Sequence, residues 1–321
     1  MLKDIAEIIK ESKRIMITTH INPDGDGIGA GLALMLALNK INSDKEMTVR
    51  FAIDDSIPSY IEYIDASCLI EKTEFVNSKY DFDLLISVDA ASEARIGNSI
   101  KFLSENTKFI NIDHHVSNTK FAQINYIDTS AASSAEIIYS LITIMGIEID
   151  KIIGEPIYAG IINDTGNFSH NNVTESNFLI AANLRKIGVD TEKATKNMFY
   201  TKKISALKIT GEVLSTMIFD TETKLSIGIA TKEMLKKCQA DKSDTEGIVD
   251  ILRSLDTAET ALFLREDAPG IFKGSLRSNG PDVNKIAGIF GGGGHIRAAG
   301  FTTEKSSTEI ITVIKNALQS N

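Results

Sequence analysis

Lys108-Phe109-Ile110-Asn111-Ile112-Asp113-His114-His115 is an apolar run that ends in a carboxylate and two imidazoles. Phe109 to Ile112 predicts a short buried strand, with Asp113 where the strand should stop. The chain has five histidines, so two side by side at a strand end are hard to treat as incidental. Neighbours on a strand point to opposite faces, so both rings can reach one metal only if the chain bends there. A division of labour follows. His114 would ligate a metal, His115 would face a substrate as donor or acid, and Asp113 would fix a ring orientation.

The same pattern, a strand followed by acids and imidazoles, recurs upstream. Arg14 to Thr19 is β-branched and ends at His20. Ile21-Asn22-Pro23-Asp24-Gly25-Asp26-Gly27 is dense in turn residues, and Ile28 to Leu38 reads as a helix packed on a sheet. Thr48 to Ile53 and Asp83 to Val88 read as further strands, the second ending at Asp89. Strands alternating with helices predict an α/β fold with a mostly parallel sheet flanked by helices. Ligands bind beyond the carboxyl ends of such strands, where His20, Asp89 and Asp113 to His115 all fall. Ser133 to Met145 reads as a helix. Ile153, Ile157 and Ile161 recur at four-residue spacing, which predicts a helix over Pro156 to Asn163 with Pro156 in its first turn and Asp164 at its end.

Thr174 to Tyr200 reads as helix with a break near Gly188. The first domain is therefore placed at 1–190, a connecting segment at 191–212, and a smaller α/β domain at 213–321, with the active-site cleft expected between the two domains. In the smaller domain, Lys224 to Ala230 is strand-like and Glu246 to Leu255 helix-like. Glu259 to Arg265 and Ile271 to Arg277 read as a hairpin around Asp267-Ala268-Pro269-Gly270, and Val283 to Phe290 reads as a helix before Gly291-Gly292-Gly293-Gly294-His295. Thr308 to Leu318 closes the chain as an amphipathic helix.

A net charge of −9 argues against a broad electrostatic grip on long nucleic acid, though not against a small anionic substrate in one cleft. Cys68 and Cys238 lack metal-ligand spacing and fit a reducing compartment. The opening residues carry Leu2, Ile5, Ile8 and Ile9 at helical spacing, which predicts an amphipathic helix and no signal peptide. The longest apolar run, Ile28 to Leu38, is too short to span a bilayer. A cytoplasmic protein without a membrane segment is expected.

Asp-Gly and Asn-Pro are ordinary turn formers, Asp26 could cap the helix that follows it, and an Asp after a strand, such as Asp89, is commonly a cap or turn residue. Taken together, His20, Asp24, Asp26, Asp89, His114 and Asp164 form a mixed imidazole and carboxylate set suited to Mn(II), Zn(II), Fe(II) or Co(II). Six protein ligands exceed what one open catalytic ion takes. They suffice for two ions roughly 3.5–4 Å apart with one carboxylate bridging, the standard apparatus for phosphoester hydrolysis. His170 lies in a polar loop and receives no role. In the smaller domain, the glycine run permits close backbone approach and N–H groups directed at an anion, or is simply a turn. Alternation places Lys273, Ser275 and Arg277 on one strand face, as an anion contact or a solvated surface.

His20-x-x-Pro-Asp24-Gly-Asp26, Asp89, Asp113-His114-His115 and Asp164 together resemble the four motifs of the DHH phosphoesterase superfamily, and Gly291 to His295 with Ala298-Ala299-Gly300 is similar to the glycine-rich motif of its associated C-terminal domain. The resemblance covers essentially the whole chain, in order. The short two-domain form resembles the bacterial nanoRNase and pAp-phosphatase branch. That resemblance implies a two-metal phosphodiesterase and phosphatase acting on short oligoribonucleotides (nanoRNA, pApA) and 3′-phosphoadenosine 5′-phosphate, with c-di-AMP hydrolysis as the alternative. Inorganic pyrophosphatase activity and a non-catalytic nucleotide sensor stand behind these. It implies two divalent ions, Mn(II) first, with Mg(II) or Co(II) as alternatives. His20, Asp24 and Asp89 would hold one ion, and Asp26, Asp89, His114 and Asp164 the other, with Asp89 bridging. His115, Asp89 and Asp113 would act in catalysis. Arg277, Gly292, Gly293, Gly294 and His295 would bind substrate. Partners would be short RNA and small nucleotides, with no long nucleic acid and no membrane, and a homodimer is compatible. Gly27, Ala30 and Asn163 depart from residues frequent in the family without removing a ligand.

Overall fold

The computed structural model describes residues 1–42, 46–77 and 81–319. The chain divides into two compact units, Met1–Thr201 and Lys202–Asn321. The first unit opens with α1 (Leu2–Glu11), β1 (Arg14–Thr18), α2 (Gly25–Ile41), β2 (Thr48–Ile53) and β3 (Glu71–Lys72). It continues with β4 (Leu84–Val88), β5 (Lys108–Asp113), β6 (Ile124–Ile127), α3 (Ser134–Ile144), α4 (Lys151–Asp164), α5 (Glu175–Lys186) and α6 (Thr191–Thr195).

Six strands pair in the order β3-β2-β1-β4-β5-β6, and every pairing is parallel. The order reverses between β1 and β4, so the chain leaves β1 to one side and returns from β4 to the other. Such a switch point opens a crevice at the carboxyl ends of the two strands. Strands β4 and β5 are buried along nearly their whole length, as expected of a parallel sheet covered on both faces.

Helix α2 is buried on almost every side from Gly25 to Met35. Its glycines are what allow this. Gly25 and Gly29, one helical turn apart, face α4: a Cβ at Gly25 would lie 2.7 Å from the Asn163 side chain, and one at Gly29 would lie 2.3 Å from the Pro156 carbonyl. Gly27 and Gly31, again a turn apart, face the sheet side and meet Thr19 and Phe51. Residue 25 opposes 163 while 29 opposes 156 and 160, so α2 and α4 run antiparallel. The start of α2 therefore lies beside the end of α4.

Helix α4 begins earlier than the sequence pattern suggested. Asp150 caps it by accepting from the Ile153 N–H, which starts the helix at Lys151 and leaves Pro156 inside it, beyond the first turn. The stripe of Ile153, Ile157 and Ile161, all buried, is long enough to hold the helix across the missing N–H. The break near Gly188 is present, with α5 ending at Lys186 and Gly188 at φ +96.

The second unit contains α7 (Ile204–Ser215), β7 (Ile218–Asp220), β8 (Leu225–Ala230), α8 (Lys232–Cys238), α9 (Ile248–Arg253), β9 (Thr260–Ala268), β10 (Ile271–Ser278), α10 (Val283–Gly288), β11 (Gly293–Gly294), β12 (Ala298–Thr303) and α11 (Ser307–Gln319). Its sheet runs β11-β12-β10-β9-β8-β7, with β8 and β9 parallel and the other pairs antiparallel. Leu262, Leu264, Leu276, Phe301, Ile310 and Ile314 form its main core. Among the described residues, no helix is long and apolar enough to cross a membrane.

The glycine packing is testable. Gly29→Val should overpack the α2–α4 contact and cost on the order of 1–3 kcal/mol in denaturant unfolding. Gly211→Ala, in exposed α7 with nothing within 4 Å of the added methyl, should be neutral or stabilising.

Candidate metal centre and active site

Every acid and imidazole that the sequence placed at a strand or helix end in the first unit converges on one place. His20 follows β1 and Asp89 follows β4, on either side of the switch point, and His20 Nε2 lies 3.4 Å from Asp89 Oδ2. Asp24 is the N-cap of α2, accepting from the N–H groups of Asp26 and Gly27, and its Oδ1 is also 3.7 Å from His20 Nε2. Asp24, not Asp26, thus caps that helix. The Asp26 carboxylate reaches the other way and accepts from the Ser134 and Ala135 N–H groups at 2.6 and 2.9 Å. It closes the N-terminus of α3, where aligned peptide dipoles favour a negative charge.

Asp89 is buried and holds a left-handed backbone, φ +57, which an Asp tolerates better than most residues. Its N–H still bonds the Ile112 carbonyl, and Ser134 Oγ donates to its Oδ1 at 3.0 Å. Asp164, the last residue of α4, is delivered beside this group by the antiparallel packing on α2. Its Oδ1 accepts from Asn163 Nδ2 at 3.0 Å.

β5 ends at Asp113, and the chain then bends. The bend overcomes the strand alternation that would have separated the two histidines: their ring centroids are 4.6 Å apart. His114 Nε2 lies 3.1 Å from Asp164 Oδ2, 3.5 Å from Asp89 Oδ1 and 4.0 Å from Asp26 Oδ2. His115 Nδ1 lies 2.7 Å from Asp113 Oδ1 and 3.6 Å from Asp89 Oδ1. Asp113 is fully buried and its second oxygen accepts from Asn118 Nδ2.

Burial opposes a charge on the imidazoles, yet the carboxylates overcome it. Asp24 and Asp89 push His20 up to about 10, and Asp164 and Asp89, with Asp26, push His114 up to about 12. Burial also works against the His115 cation, but Asp113 and Asp89 hold it above its ordinary value. Burial, with Asp89 and Asp164 nearby, raises Asp26 well above the usual carboxylate range, and burial raises Asp164. Burial would raise Asp89 as well, but His114 and His20 hold it low.

These residues suit divalent cations. Asp26, His114 and Asp164 offer ligand atoms within 4.8 Å of one another, as do His20, Asp24 and Asp89, and as do Asp89, Asp113, His114 and His115. His114 Nε2 is buried among three carboxylates yet has no hydrogen-bond partner among the described residues. A lone pair aimed at a shared point among acids is what a hard or borderline cation requires.

The same fold is found in a known protein, and both units match known domain families. The DHH family, N-terminal domain, matches residues 14–161, and the DHHA1 domain matches residues 226–320. The bifunctional oligoribonuclease and PAP phosphatase NrnA of Thermus thermophilus is 31% identical over 307 residues, covering 93% of this chain and 87% of that protein. This chain belongs to the DHH family. The Bacillus subtilis protein of the same name is 28% identical over 303 residues, covering 94% of this chain and 92% of its own. A crystal structure of an exopolyphosphatase-related protein from Bacteroides fragilis superposes with a TM-score of 0.91 at 28% identity, covering 99% of this chain and 95% of that one.

In the second unit, Arg277 lies on β10 with Nε 3.3 Å from Asp250 Oδ1. Lys273, Ser275 and Arg277 share a face of that strand and line a cavity of about 180 Å³ with Arg265 and Phe263. The glycine run is more ordered than the sequence implied. Gly293 and Gly294 form β11 against β12, Gly292 N–H bonds the Ala287 carbonyl, Gly294 N–H bonds Asn284, and His295 N–H bonds the Ala298 carbonyl. The expected row of N–H groups aimed at an anion is therefore spent inside the protein at these three positions. The glycines instead permit close contact, since a Cβ at Gly292 would lie 2.2 Å from the Gly300 carbonyl.

Sequence reasoning missed Ser134, Asn118 and Arg95, which bond Asp89, Asp113 and His20. Ser134 alone left a trace, as part of the Ser133-Ser134 pair opening a helix. His170, given no role, rests its ring over Gly166 and brings Nδ1 3.1 Å from the Asp164 carbonyl.

Proton competition gives a direct test. A cation needs the imidazole lone pairs, so binding must release protons and strengthen as pH rises from 6 toward 9. Without metal, the raised His20 and His114 values contribute stability that is full below about 6.5 and is lost as pH rises toward about 10 and about 12. Raised Asp26 and Asp164 act in the same direction. Chelator-treated protein should therefore melt lower at pH 9 than at pH 6.5, and a divalent cation should reverse the loss. A flat melting profile across that window would contradict the electrostatics described here.

Proposed function

We propose that this chain is a two-metal phosphoesterase that hydrolyses short oligoribonucleotides and 3′-phosphoadenosine 5′-phosphate in the cytoplasm. The observation that carries it is the convergence of His20, Asp24, Asp26, Asp89, His114 and Asp164 in a chain related along most of its length to enzymes named oligoribonuclease and PAP phosphatase. His20, Asp24 and Asp89 would hold one divalent ion and Asp26, Asp89, His114 and Asp164 the other, with Asp89 shared and Mn(II) the preferred metal. When bound, such ions lower the pKa of a shared water and neutralise charge on phosphoryl oxygens.

The chain's own groups do the rest. Asp113 accepts the Nδ1–H of His115, which fixes that ring, and with Asp89 it favours the imidazolium, whose Nε2–H would donate toward a phosphoryl oxygen. Ser134 and the α3 N–H groups keep Asp89 and Asp26 oriented. In the second unit, Arg277 supplies a guanidinium for a second phosphate or a nucleotide, and His295 and the glycines Gly292, Gly293 and Gly294 shape the surface beside it.

A turnover panel of pAp, pApA, c-di-AMP and pyrophosphate with Mn(II), Mg(II) and Co(II) tests the reading. pAp and pApA should be consumed, fastest with Mn(II), and no turnover of either would sink it. Asp89→Asn, which keeps an acceptor for Ser134, should abolish activity without unfolding. His115→Ala should lower kcat by about 10²–10³-fold. Arg277→Ala should mainly raise KM.

A further inference from the structure

Arg95 stands in the short 3-10 helix Glu93–Phe102 after β4, outside every motif that the function above uses. Its Nη2 lies 2.8 Å from His20 Nδ1, at the edge of the acid and imidazole cluster. The residue is exposed, and among the described residues its guanidinium forms no ion pair with a carboxylate. That is unusual for a cation beside so many acids. The acids face the far side of the His20 ring, where Nε2 meets Asp24 and Asp89.

The position is built rather than incidental. The Ile21 N–H, directly after His20, donates to the Arg95 carbonyl at 2.7 Å. The Arg95 N–H in turn bonds the Ser92 carbonyl, and three residues on, the Asn98 N–H bonds Asp54 Oδ2. The backbone that carries Arg95 is thus tied to the loop that carries His20 and to the residue after β2.

With a cation on Nε2, the His20 ring would no longer accept from the guanidinium. For His20 to offer the Nε2 lone pair to a cation in the cluster, its ring proton must sit on Nδ1. The Ile21 carbonyl, 2.9 Å away, accepts that proton. Nδ1 then has nothing to give Arg95. The guanidinium would then stand at the edge of the acid and imidazole cluster with no carboxylate partner among the described residues and with N–H donors to offer an anion.

We infer that Arg95 is a substrate-binding residue of this site, donating to the phosphoryl group that docks at the metal cluster. The inference rests on the phosphoesterase reading and adds a cationic contact from the first unit itself. Removal of a charged hydrogen-bond donor of this kind weakens binding by about 10–100-fold.

The test uses the full chain, wild type and with Arg95→Ala or Arg95→Lys. Three quantities are measured: Mn(II) affinity without substrate, binding of inorganic phosphate to the Mn(II)-loaded protein, and kcat and KM on pAp. Arg95→Ala should leave Mn(II) affinity unchanged, weaken phosphate binding and raise KM for pAp by about 10–100-fold. Arg95→Lys should recover part of the loss, because the charge returns without the planar fork. Unchanged phosphate binding and KM would overturn the inference. So would Mn(II) affinity falling in parallel, which would make Arg95 a prop for His20. If the wild type turns over neither pAp nor pApA, the function reading fails, while the phosphate-binding arm still decides the role of Arg95.

Discussion

Two helices that touch backbone to backbone determine where the chemistry sits. Gly25 and Gly29 let α2 lie directly against the Asn163 and Pro156 to Gly160 stretch of α4, and Gly27 and Gly31 let the other side of α2 settle onto Thr19 and Phe51. Each helical glycine costs about 1 kcal/mol relative to alanine. That cost is offset by a helix buried on almost every side, packed against the sheet and a second helix together. The antiparallel arrangement is what brings Asp24 and Asp26, at the start of one helix, to Asp164, at the end of the other. A side chain larger than hydrogen at Gly160 would press on Ala135 and on Asp26 itself. Packing and ligand geometry are therefore one constraint in this protein.

The electrostatics follow from that geometry. Asp26, Asp89 and Asp113 are all but sealed from water, and Asp164 and His114 are only slightly more open. Burying such charges without compensation is strongly unfavourable. Compensation comes from three sources: imidazoles 2.7–4.0 Å away, the N-terminus of α3, and hydroxyl or amide donors such as Ser134 and Asn118. The acids and imidazoles still perturb one another's protonation. A net charge of −9 does not bar a small anionic substrate, because divalent cations held by such a cluster would reverse the sign locally.

The positions of the main strands and their parallel pairing were largely legible in the residues. The strands at Arg14, Thr48, Asp83 and Lys108, the parallel sheet, the hairpin of β9 and β10 and the break at Gly188 follow from period and turn chemistry that act over a few residues. Failures came where a local rule met a longer-range contact. Pro156 looked like a helix start until Asp150 supplied an earlier cap. Asp26 looked like a cap for its own helix, but its carboxylate serves the N-terminus of α3 more than a hundred residues away. The glycines before His295 left an anion cradle and a plain turn both open, and bonds to the Ala287 carbonyl and to Asn284 occupy the N–H groups of Gly292 and Gly294.

The sequence by itself determined the alternation of strands and helices and the delivery of His20, Asp89 and Asp113 to His115 at strand ends, because both depend on side-chain periods of two and 3.6. It also singled out the acids and histidines as a set, through their rarity and spacing. Only the tertiary structure decided that the chain bends after Asp113 so that both imidazoles turn inward, that Asp26 and Ser134 tie α2 to α3, and that Arg95 lies against His20. Those contacts join residues separated by dozens of positions, and nothing in local propensity encodes which distant donor a buried carboxylate or an exposed guanidinium will meet.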